Sequence, residues 1–241
     1  MKIYHQDLKY LLVIDVETAA CVASYEQLPE TMKLFWSKRA KMYAEYQLPI
    51  SESFSKFASL HAEFSKIISV GIGVFNLNEK QELGLRVKSI TNEDELTLLQ
   101  ELKGLLEGKL SNRKRFLAHN GREFDYPLLC RRMLLNRLGL PSTLHSLKNK
   151  PWENPHLDTM EMWRFGDRKN YTALRLLTHL FDLPTYPDPI DGSMVSDIYH
   201  KEKDLERIAA YCRNDVIMTA QVYLRLQNLP AIKEENIVEV K

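Results

Sequence analysis

The chain has 241 residues, long enough for one large domain with a substantial core. A hydrophobic content of 44% is ordinary for a soluble globular protein, and the lack of a long apolar run argues against a membrane span. Net charge is +1, which does not announce a nucleic-acid binder, and three cysteines without a CxxC pair argue against a disulfide framework or a zinc site. Cys21, Cys130 and Cys212 are therefore expected to be buried free thiols in a reducing compartment. The N-terminus, MKIYHQDLKYLLVID, has no signal core, so it reads as the start of the fold and a cytoplasmic location is expected.

Residues 10–16 form a short apolar run ending in acidic residues and predict a buried strand. KIISVGIGVFNL, residues 66–77, predicts a second, and Asn78-Glu79-Lys80 a turn into a third over residues 81–90. Leu96, Leu99, Leu102 and Leu106 recur at helical spacing after Thr91 and Asp94, with Thr91 as the candidate cap. A strand is expected at 116–118, a helix at 126–138 closed by Gly139, and a strand at 156–158. Helices are expected at 172–181 and 204–226. The order β-β-β-α-β-α-β-α-α predicts an α/β fold with a mixed central sheet flanked by helices.

Residues 19–62 are an insertion between the first two strands. Residues 29–46 within it look helical and carry Leu34, Phe35, Trp36, Met42, Tyr43 and Tyr46, which either pack on the core or cover a cleft. Residues 142–155 are polar and predict a loop. With no internal repeat or linker, residues 1–241 read as a single domain. Between Glu101 and Lys150 there are 11 Lys/Arg against 4 Asp/Glu, an excess that solvates a face or tracks phosphates.

Three elements carry candidate chemistry. Asp15-Val16-Glu17 closes the first strand, where alternation points both carboxylates the same way, and such a pair repels unless a cation neutralises it. Hard oxygen ligands of this kind suit Mg²⁺ or Mn²⁺. Asn120-Gly121-Arg122-Glu123-Phe124-Asp125 follows a strand and precedes a helix, so Asp125 is either a cap or a ligand. Tyr211 and Asp215 lie four apart in the last long helix and share one face; aspartate is a poor mid-helix residue and needs either exposure or a metal to account for it.

In this order, DxE, N-x3-F-D and Y-x3-D resemble the three motifs of the DEDD exonuclease superfamily on a ribonuclease H-like fold. Tyr211 is similar to the mark of the DEDDy subclass; the histidine of the DEDDh subclass would stand at Ala210. LLVIDVET, FSKIISVGIGVF, FLAHNGREFDYPLL, LDTMEMWRFGDRKNY, DGSMVSDIY and IAAYCRNDV most resemble stand-alone exonucleases related to the proofreading domain of family B DNA polymerases.

The resemblance implies a 3′–5′ exonuclease of single-stranded DNA that releases 5′-mononucleotides and uses two divalent ions, Mg²⁺ or Mn²⁺. It implies that Asp15 bridges the ions, that Glu17 and Asp215 complete the site of the water-activating ion, that Asp125 supports the second, and that Tyr211 orients the attacking water. Thr18 and Asn120 are implied contacts of the terminal nucleotide, with local turn roles as the alternative, and Phe124 either stacks on a base or packs in the core. His119 is expected beside its strand, and Asp158 is expected to be structural or a helix cap. An exoribonuclease of the same superfamily and a catalytically silent nucleic-acid-binding module are the other readings. The stretch after Leu226 is too short for a polymerase or helicase domain, so any such function is expected from a protein partner.

Overall fold

The computed structural model describes residues 7–146, 150, 153–167, 171–185 and 190–240. Its centre is a six-stranded mixed sheet of order β5-β4-β1-β2-β3-β6. The strands are β1 (Leu11–Ala20), β2 (Ser65–Leu77), β3 (Leu83–Thr91), β4 (Arg115–Ala118), β5 (Leu157–Asp158) and β6 (Ile237–Glu239). β1, β2 and β3 run antiparallel in succession, while β4 pairs parallel with β1 and with β5. The expected mixed sheet is thus present. β6, which pairs parallel with β3, was not anticipated, because three residues at one edge carry too little alternation to register.

β1 is covered on both sides, and nine of its ten residues are buried, which accounts for the continuous apolar run LLVI. One side packs on α3 (Glu95–Glu107) and α4 (Asp125–Leu135) through Leu12, Ile14, Leu99, Leu102 and Leu129. The other packs on α8 (Leu205–Leu226) through Leu11, Val13, Val216 and Ala220. That helix approaches so closely that Cβ atoms added at Gly71 and Gly73 would lie 2.8 and 2.7 Å from Val216. Glycine is required there by backbone-to-helix contact.

Helix boundaries moved for identifiable reasons. Thr91 ends β3, and the α3 cap is Asp94, whose carboxylate accepts the Thr97 N–H. α4 stops at Leu135, and the left-handed residue after it is Arg137, φ 58°, not Gly139. The polar segment is not all loop, since α5 (Ser142–His145) opens it; residues 147–149 and 151–152 lie outside the described residues.

The insertion forms α1 (Glu30–Arg39), irregular turns over Ala40–Tyr46 and α2 (Ile50–Phe57). Trp36 is fully buried against Phe54 and Phe64, and Tyr43 stacks on Phe57 at 3.8 Å. Only these parts of the aromatic set pack inward; Leu34, Phe35, Met42 and Tyr46 stay exposed. A buried network ties the insertion to the rest. The Arg132 guanidinium pairs with Glu95 and donates to the Ala62 carbonyl at 2.8 Å, while Glu95 also accepts the Ile67 N–H at 2.7 Å. Among the described residues no helix is long and apolar enough to cross a membrane.

Candidate active site

Asp15 and Glu17 stand on the central strand, two residues apart and on one face. Beyond Glu17 the β1–β2 register shifts, a local irregularity beside the pair. Asp125 is the first residue of α4, where Phe124 occupies the cap position without a side-chain capping bond, so Asp125 does not serve as the cap. Tyr211 and Asp215 project from α8 one turn apart. All five line one cavity of about 610 Å³.

Behind the two β1 carboxylates stands Cys212, and the ligand atoms of Asp15, Glu17 and Cys212 lie within 4.8 Å of one another. The Cys212 thiol donates to Asp15 Oδ2 at 3.3 Å. Burial first, then the charges of Asp15 and Glu17, push that thiol well above its ordinary range. Cys212 therefore remains a neutral donor to Asp15, and the hard oxygen atoms that could hold a cation are those of the carboxylates.

The carboxylates disfavour one another's charge. Burial, followed by the charges of Glu17, Asp215 and Asp125, raises Asp15 well above the usual range. Glu17 is raised by burial and then by Asp215 and Asp125. Asp125 is pushed up to about 7, chiefly by burial, with the Val16 N–H among the groups holding it down. Asp215 rises to about 6 by burial, offset by the Tyr211 hydroxyl and the Arg175 guanidinium. The Asp215 Oδ1 oxygen is buried without a hydrogen-bond partner. Clustered carboxylates with an unmet buried oxygen have the chemistry of a divalent-cation site, and this donor set suits Mg²⁺ or Mn²⁺.

Asn120 adopts a left-handed backbone, φ 61°, lines the cavity and leaves its amide oxygen buried and unpartnered. Its N–H and that of Arg122 donate to Asp158, which also caps α6 (Thr159–Arg164) through the N–H groups of Met160 and Glu161. Asp158 is thus a saturated anchor for the loop that presents Asn120. Phe124 does two things at once: it packs against the core and lines the cavity. Thr18 does not reach the cavity with its side chain, since its hydroxyl donates to the Ser59 carbonyl at 2.8 Å. Both ring nitrogens of His119 are engaged, with the Thr159 hydroxyl and the Thr172 carbonyl.

Arg175, on α7 (Leu174–Leu180), was not found from the sequence. Its guanidinium lies 5.8 Å from the centre of the Tyr211 ring and lowers Asp215. A lone arginine on a short helix carries no signal that separates it from a solvated face. Conversely, much of the basic excess between residues 101 and 150 is spent internally. Arg115 donates to the Pro155 carbonyl, Arg122 pairs with Glu161, and Arg132 pairs with Glu95. Of the three cysteines only Cys212 is buried; Cys21 and Cys130 are half-buried.

No curated protein sequence matches the chain. Among solved structures it is similar to the family B DNA polymerase from the hyperthermophilic archaeon Pyrobaculum calidifontis, with a TM-score of 0.50 and 11% identity. That alignment covers 89% of this chain and only 24% of the polymerase, and at such identity it establishes the shared ribonuclease H-like fold. Residues 55–239 match a family model described as a predicted 3′–5′ exonuclease related to the exonuclease domain of PolB. Asp125, Tyr211 and Asp215 lie within the matched stretch while Asp15 and Glu17 precede it, and with most of its length matched the chain belongs to this family of predicted PolB-related exonuclease domains.

Proposed function

We propose that the chain removes nucleotides from the 3′ end of single-stranded DNA, releasing 5′-mononucleotides, with two Mg²⁺ or Mn²⁺ ions held by Asp15, Glu17, Asp125 and Asp215. The observation that carries this reading is the gathering of four carboxylates and Tyr211 around one cavity, with the Asp215 oxygen buried and unmet. Bound there, the ions would lower the pKa of the attacking water and stabilise the leaving 3′ oxygen.

The chain's own groups supply orientation. Burial and the neighbouring charge of Asp215 push the Tyr211 hydroxyl far above its ordinary range, so it stays protonated at neutral pH. It therefore acts as a hydrogen-bonding partner that fixes the attacking water rather than as a base. Asn120 offers its unpartnered amide oxygen to a donor on the terminal nucleotide, and Phe124 presents its ring as a stacking surface for the terminal base. With its hydroxyl committed to Ser59, Thr18 is left to contact the nucleotide through its backbone.

The test is a time course on end-labelled single-stranded DNA and RNA with Mg²⁺, Mn²⁺ or EDTA. A ladder receding from the 3′ end, faster on DNA and abolished by EDTA and by Asp15→Ala, is expected. Full activity in EDTA, or equal cutting of closed circular and linear single strands, would exclude a metal-dependent exonuclease. Faster hydrolysis of the RNA strand would replace DNA as the substrate.

A further inference from the structure

The insertion exposes apolar surface that the core does not use. Phe35 is 53% and Met42 64% exposed, and with Met32, Phe64 and Leu135 they line a groove of about 690 Å³. Lys38 and Arg39 stand beside them, whereas Arg132 below is committed to Glu95. Two elements connect this groove to the catalytic cavity. α4 starts in the cavity at Asp125 and ends at the groove with Arg132 and Leu135, a run of about 15 Å at the helical rise. The segment after α2 places Leu60 in the cavity and Glu63 and Phe64 in the groove.

We propose that this groove holds the single-stranded nucleic acid upstream of the nucleotide being removed, an inference that rests on the nuclease reading above. Bases lie on Phe35 and Met42, and phosphates lie against Lys38 and Arg39. An aromatic face flanked by cations suits an unpaired strand of any sequence, since every base has a face to stack and every phosphate a charge to neutralise. The exposed cations, and the two elements that contribute residues to both the groove and the catalytic cavity, favour the substrate over a separate protein as the occupant.

The experiment compares Phe35→Ala and the double variant Lys38→Glu/Arg39→Glu with the wild type on a 20-nucleotide single strand and on a dinucleotide. Lys80→Glu, on the exposed β2–β3 turn, is the charge control. KM for the long strand should rise roughly tenfold in both groove variants, while its kcat changes little. The dinucleotide is too short to reach the groove, so its hydrolysis should not distinguish the variants. The double variant should also show a shallower salt dependence. An unchanged KM on the long strand, or equal losses on both substrates, would overturn the proposal. Metal-free binding of the long strand, followed by fluorescence anisotropy, judges the groove independently of turnover: weaker binding by both variants supports it, and wild-type binding overturns it, leaving the surface to a protein partner. Hydrolysis of neither substrate by the wild type would remove the nuclease reading instead.

Discussion

Gly71 lies opposite Asp15 across the β1–β2 ladder and directly beneath α8, which carries Tyr211 and Asp215. A Cβ at this position would meet the Cys212 carbonyl oxygen and Val216 Cγ2 at 2.8 Å, and Cys212 Sγ at 3.0 Å. Two of these partners are a helix backbone and a buried β-branched side chain, so the helix itself must move by several tenths of an ångström. Overpacking of this kind costs about 1–3 kcal/mol. In a domain of this size that corresponds to a Tm lower by roughly 2–12 °C. The displacement also separates Asp215 from Asp15, and misplacement of reacting groups by ~1 Å can cost about 10²-fold in rate. Gly71→Ala should therefore combine a lower Tm with weakened Mn²⁺ binding by calorimetry and a slower single-turnover rate. Gly104, inside α3 with no atom within 4 Å of an added Cβ, supplies the opposite control, and Gly104→Ala should gain up to about 1 kcal/mol. Wild-type Tm and Mn²⁺ affinity in Gly71→Ala would refute the idea that this glycine sets the spacing of the site.

Asp215→Asn should stabilise the metal-free protein in a pH-dependent way. The folded pKa of Asp215 is raised, from 3.8 to about 6, so its neutral form suits the fold and stability is lost as pH climbs through that range. The variant's advantage should grow from pH 4 and level off above pH 6 at no more than about 3 kcal/mol, measured by denaturant titration in EDTA. His156, lowered to about 4 by burial, is common to both proteins and cancels in the difference. An advantage that is flat with pH would show that Asp215 carries no strained charge. Tyr211→Phe should keep Mn²⁺ affinity and slow the single-turnover step by about 10²-fold, toward the lower end for orienting groups; an unchanged rate would assign the hydroxyl a packing role. Asp158→Ala frees four backbone N–H groups, costs about 2–4 kcal/mol, and should raise KM through Asn120 more than it lowers metal affinity, a split readable by kinetics and calorimetry.

The sequence was most legible where one physical requirement dominated. LLVI in β1 had to be buried on both faces, and the leucines of α3 repeat at helical spacing, so both elements were placed within a few residues. Asp15, Glu17, Asp125, Tyr211 and Asp215 were readable as local patterns, and the structure brings them to one cavity. What stayed hidden depended on distant partners. Thr18 looks like a neighbour of the site, but Ser59 captures its hydroxyl from the far end of the insertion. Arg175 reaches Tyr211 only because α7 packs against α8, and Arg132 looks like a surface cation until Glu95 is placed beside it. Phe35 and Trp36, adjacent in sequence, take opposite fates by the turn of α1, which a run of aromatics cannot reveal.

The order in which the centre's parts occur along the chain has a consequence for biogenesis. β1 supplies Asp15 and Glu17 early, but its parallel neighbour β4 begins at Arg115, and α8, which covers the sheet, at Leu205. These pairings are strongly non-local, and closing such long loops delays folding. A chain still emerging from the ribosome holds two carboxylates without the helix that completes them. The site therefore forms only once α8 has docked on the sheet.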